Sequence, residues 1–150
     1  MALTLHGTVS DNTAVLSRPN ANPLVINGDM NIAQRATTVT GSTAGGYTTV
    51  DRMLLSIGTL GTWTIAQTAS APDDTGLTNS YRLDCTTADA SPAAGDYAIF
   101  STRLEGQDVQ LFKKGTSYAE KMTVSFWVKS NKTGTYIMEL DDNDNGRNIN

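Results

Sequence analysis

The sequence predicts an all-β fold, and three observations carry that prediction. Threonine supplies 22 of the 150 residues, and its branched Cβ suits a pleated surface. Short Thr/Val/Ile/Tyr runs alternate with clusters of Gly, Asn and Asp, the punctuation of an antiparallel sandwich or barrel. Lys121 to Ser130 alternates cleanly. There Met122, Val124, Phe126 and Val128 point one way, and Thr123, Ser125, Trp127 and Lys129 the other. A chain of this length holds one domain.

Taken in order, residues 1–23 stand apart. Leu3 to Val9 reads as one strand, Val15-Leu16 is a second apolar patch, and prolines at 19 and 23 make a stiff linker. Leu3, Leu5, Val9, Val15 and Leu16 have no room for a core of their own, so they need an external surface. The alternation of Leu3, Leu5 and Gly7 with Thr4, His6 and Thr8 suits addition to a partner's sheet edge.

The body, 24–150, begins with a buried-strand run at Leu24-Val25-Ile26, stopped by Asn27-Gly28-Asp29. A Thr/Gly/Ser loop from Thr37 to Gly46 leads into a strand between Tyr47 and Ile57. Thr62 to Gln67 places Trp63 and Ile65 on one face, with Trp63 in the core. Asp73-Asp74-Thr75-Gly76 is a turn. Tyr81, Leu83 and Cys85 alternate with Arg82 and Asp84, and Tyr97 to Leu104 is a further strand. Gln107 to Lys114 holds a short helical segment with Val109, Leu111 and Phe112 inward, ended by Gly115. Thr135 to Leu140 follows the turn at Asn131-Lys132-Thr133-Gly134. Met122, Val124, Phe126, Val128, Tyr136 and Met138 are expected to share one core. Nothing that reads as a closing strand follows the polar loop Asp141 to Gly146.

Composition excludes several functions. A net charge of −4 and a pI near 4.7 oppose nucleic acid as a partner, because phosphate neutralisation needs a surplus of Lys and Arg. Cys85 is the only cysteine and His6 the only histidine, which removes internal disulfides, Cys/His zinc sites and Cys–His or Ser–His catalysis. No segment has the length of a membrane span, and the N-terminus lacks the layout of a signal peptide.

The remaining candidates are carboxylates and aromatics. Glu105 with Asp108, and Glu139 with Asp141, are the acids that could be weighed for glycosidase work. Nothing in the sequence forces their pKa upward, so the chain reads as non-enzymatic. Asp141, Asn143 and Asn145 with Gly146 match the first half of a calcium loop. A solvated hairpin loop competes, since the bidentate acid would fall beyond Asn150. Trp127, with Lys129 on the same face, is the aromatic most available for contact. It fits either a subunit or loop interface, or the apolar face of a sugar.

Several segments together carry a family resemblance. They are Asn22 to Met30 with Gln34-Arg35, Gly46 to Arg52, Leu104 to Val109, Thr123 to Ser130, and Thr133 to Tyr136. In this order and spacing they resemble bacteriophage tail-fibre proteins, marine and cyanophage-like ones especially, and Met1 to Pro23 resembles the start of such fibres. Met53 stands where the family usually has Trp, and Met30 where it often has Phe.

The resemblance implies a jelly-roll-like antiparallel β-sandwich, similar to carbohydrate-binding modules, preceded by an extended N-terminal arm. It implies a structural virion protein, usually a homotrimer, docked through its arm to other tail or adaptor proteins and supporting host-surface recognition. Alternatives are a module that itself binds host surface polysaccharide, and a small capsid or tail decoration protein. Such jelly rolls often carry a structural calcium near the first strand, which makes Asp29 a ligand by resemblance. The family domain usually continues past the Asn-rich loop, so the sandwich is expected to be cut short there.

Overall fold

A computed structural model describes residues 24–73 and 75–150. The apolar arm residues Leu3, Leu5, Val9, Val15 and Leu16 therefore lie outside the described residues, as does Asp74 of the predicted turn.

The body is all-β and antiparallel, with one short helical segment. One sheet contains β1 (Thr38–Ser42), β4 (Thr62–Thr68) and β5 (Ser80–Thr87), with β4 in the centre. A second contains β2 (Gly45–Gly46), β3 (Met53–Gly58) and β6 (Tyr97–Thr102), with β3 in the centre. A separate hairpin joins β7 (Leu140–Asp142) to β8 (Arg147–Ile149). The helical segment α1 (Gly106–Val109) continues as a 3-10 turn over Gln110–Phe112.

The two three-stranded sheets meet through a small core. Met53, Leu55 and Ile57 of β3 are buried while Leu54, Ser56 and Gly58 are partly open, the period of two that a half-buried strand requires. Leu55 and Ile57 pack with Ile65 from the other sheet, and Leu60, Trp63, Tyr81 and Leu83 close around them. Trp63 also donates its indole N–H to the Leu60 carbonyl at 2.6 Å, which gives its polar edge a partner. Tyr81 of β5 and Phe100 of β6 bridge the sheets with ring centroids 4.8 Å apart. At Gly45, φ is +78° and a Cβ would run into the Leu55 carbonyl. Only glycine lets β2 approach β3 there.

Several expectations need correction. Leu24 to Asn27 forms bends and turns instead of a strand, because Asn27 sits at φ 60° and closes a polar turn described below. Thr48 to Arg52 is also turn, with Arg52 at φ 70°, so the strand predicted there begins only at Met53. Thr38–Ser42, read as loop, is a strand bonded to β4, with an irregular register between Val39 and Ser42. The strand predicted over Tyr97 to Leu104 stops at Thr102, and Cys85 is exposed. The helical segment is present, but Leu111 is exposed and the chain already turns left-handed at Lys113, φ 49°, before Gly115. A closing strand does follow the Asn-rich loop, as β8.

The largest correction concerns the strongest sequence signal. Met122 to Lys129 belongs to no sheet, and of 135–140 only Leu140 does. Val124, Phe126, Val128, Tyr136 and Met138 are exposed, so the shared core expected of them is not formed. Alternation gives a strand two different faces, but burial requires a neighbouring strand, and none of the described residues supplies one.

The core holds an internal flaw. The hydroxyls of Thr48, Thr49 and Tyr81 are buried without hydrogen-bond partners. Burial pushes the Tyr81 phenol up from its ordinary value, and the nearby Thr49 hydroxyl opposes this weakly without reaching full hydrogen-bond geometry. An orphaned buried hydroxyl costs about 1–3 kcal/mol, so Tyr81→Phe should raise the melting temperature at neutral pH. A raised folded-state value means stability is intact below the unfolded tyrosine value of about 10 and is lost as pH climbs through the folded value. The variant should therefore also lose less stability than the parent as pH rises above about 10, read as melting temperature against pH.

Candidate functional site

Two features remain once the core is accounted for: a polar lock at one end of the body and an open apolar ribbon after the helical segment.

The lock gathers sequence segments that lie far apart. The Asn27 amide donates to the carbonyls of Ile32 and Asp51, both at 2.9 Å, and its oxygen accepts the Ile32 N–H. The Asp51 N–H donates to the Ile32 carbonyl, and the Asp51 carboxylate pairs with Arg35 at 3.5 Å. Gln67 from β4 donates to the Met30 carbonyl at 2.6 Å. Next door, Arg52 pairs with Glu105 at 3.4 Å. The ion pairs are largely exposed and contribute little; the Asn27 bonds satisfy backbone groups that no strand reaches. Three of the segments that carry the family resemblance are thus joined in space. Their residues act as structural ties.

Several of the carboxylates weighed for catalysis or metal are engaged in local bonds. Glu105 is tied to Arg52 and Gln107, and Glu139 accepts from Asn148. Asp29 accepts from Asn31, whose oxygen in turn accepts from Thr78 and Asn79. The Asp141 to Gly146 segment is the end of β7 and the hairpin turn that follows it, with Asn145 donating to the Asp142 carboxylate at 2.7 Å. Among the described residues no three His, Cys, Asp or Glu side chains converge as metal ligands.

The ribbon spans 121–139. It is launched by a closed loop in which the Glu120 N–H bonds the Phe112 carbonyl at 2.8 Å and the Glu120 carboxylate pairs with Lys113 at 3.2 Å. Its own turn is pinned by side chains. Tyr136 donates to the Lys132 carbonyl and sits 2.6 Å from the Ser130 hydroxyl, which accepts the Lys132 N–H. The arms on either side form no backbone–backbone hydrogen bonds with the described residues. They nevertheless expose Trp127 at 70% and Val128 at 73%, and Phe126, Tyr136 and Ile137 are exposed as well. Ser125, Phe126 and Trp127 line an open recess of about 260 Å³. Both residues singled out as contacts, Trp127 and Lys129, lie on this ribbon and are exposed.

Sequence reading identified the ribbon's apolar residues and assigned them to a core. Their availability was visible only in Trp127. No protein-family model, curated protein or solved structure matches the chain.

Proposed function

We propose that this chain is a structural, non-enzymatic subunit of a bacteriophage tail fibre, held in the virion by its N-terminal arm and assembled as a homotrimer through the ribbon. The observation that carries the reading is the ribbon itself. Exposed apolar side chains are costly in water, and backbone without a ladder is open to pairing; a partner answers both. Aromatic residues near such a surface are what interfaces select. The resemblance to tail-fibre proteins supplies the setting.

The arm is tested in particles. A chain lacking residues 2–18 should keep its thermal transition yet fail to enter virions, and normal incorporation would refute anchoring.

A second reading has a specific observation in its favour. The recess at Ser125, Phe126 and Trp127 offers an aromatic face and a hydroxyl, the elements of a sugar platform. A glycan array of the intact chain separates the two. The assembly reading expects no retained glycan; retention that Trp127→Ala abolishes would favour host-polysaccharide binding.

A further inference from the structure

We infer that the ribbon of one copy docks, antiparallel, on the free edge of β6 in a second copy of this chain. The inference rests on the ribbon being an assembly surface, and it names the partner. β6 pairs with β3 along one side, in unbroken register from Met53↔Thr102 to Gly58↔Tyr97. No described strand covers its other side.

Natural edge strands protect themselves with charge, proline, a bulge or cover. Tyr97–Thr102 has no charged residue and no proline, its pairing has no bulge, and Tyr97, Ile99 and Phe100 are exposed. The run Met122 to Lys129 is likewise free of proline, is long enough to span the six residues of β6, and lacks a ladder of its own. Among the described residues, one chain therefore displays both an unguarded edge and an unpaired run, open at the same time. A second copy supplies each with the other. Contacts of this head-to-tail kind close into rings when the rotation allows.

Charge selects the direction. The run Lys121 to Tyr136 contains three lysines and no acid, whereas residues 24–104 hold seven acids against four bases. Asp96 precedes β6, with Asp89 earlier in the same loop, and Arg103 follows it. Antiparallel docking brings Lys129 and Lys132 to the Asp89/Asp96 end. Antiparallel docking leaves one lysine, Lys121, at Arg103, whereas parallel docking would set Lys129 and Lys132 there, and like charges at close range oppose association.

Disulfide trapping tests this in full-length chains carrying Cys85→Ser. One chain, with its own affinity tag, carries Ala98→Cys. A differently tagged chain carries a cysteine in place of Phe126, Trp127 or Val128 in turn. After mixing and oxidation with diamide, at least one pair should form a disulfide between the two tags, at a yield several-fold above that with Thr102→Cys at the far end of β6. Equal yields from the two ends would overturn the antiparallel register. No link from either end, with the Trp127 fluorescence of assembled chains still shielded from a soluble quencher, would overturn β6 as the partner and leave the assembly reading standing. No link together with a fully quenchable Trp127 would overturn both. A disulfide formed only when both cysteines share one chain would place the ribbon on its own body and refute exchange.

Discussion

Leu55→Asp should abolish the cooperative unfolding transition of the body, and Leu55→Ala should lower its stability by about 2–5 kcal/mol. Leu55 is fully buried at the centre of β3, opposite Phe100 on β6, and touches Ile57 and Ile65 from both sheets. The buried apolar set among the described residues is small: Val50, Met53, Leu55, Ile57 and Ile65. Domains are stable by only about 5–15 kcal/mol in total, so one cavity in so small a core consumes much of the margin. A carboxylate at that position would be buried with no partner, which costs more still. Urea denaturation followed by the fluorescence of Trp63, which packs against this cluster, measures both effects. An unchanged midpoint for Leu55→Ala would mean that the sheets do not meet there.

Val124→Asp is expected to behave in the opposite way. Val124 belongs to the alternating run that the sequence assigns to a core, and in a core an unpaired carboxylate would unfold the domain. In the structure Val124 is 44% exposed on the ribbon. Exposed substitutions away from special contacts usually change stability by less than about 0.5 kcal/mol, so the body should keep its melting temperature. If the ribbon pairs with a second copy, the same carboxylate is buried on association. A penalty of about 3 kcal/mol or more there weakens association by on the order of 100-fold.

How far the sequence can be read is clearest in this pair of residues. Both lie in clean period-two runs. Leu55 is buried because its strand has neighbours on both sides; Val124 is not, because no described residue pairs with its run. Periodicity reports that a strand has two unlike faces. It carries no information on whether another strand will pair with it. Trp63 and Ile65 on one face of β4, and the helical segment before Gly115, were legible for the same local reason that made β3 legible.

Long-range bonds were not. Leu24 to Asn27 has the apolar, branched composition of a strand, yet Asn27 bonds a carbonyl 24 residues away and that tie sets a turn. Thr38–Ser42 looks like loop because Gly41 interrupts it, but pairing with β4 overrides its local preference. Arg147–Ile149 holds one apolar residue, too few for alternation to register. The candidate site was legible in composition, as Trp127 and Lys129, and misread in position, since the surrounding valines and Phe126 were assigned to a core.

Sedimentation of the intact chain beside Val124→Asp, with the melting temperature of each, decides whether the ribbon is an interface. The expected result is an assembly for the parent, a monomer for the variant at the same concentration, and superimposable melting curves once the parent is diluted to monomer. A Val124→Asp chain that unfolds would return the ribbon to the core, and one that assembles as the parent does would remove the ribbon from the interface.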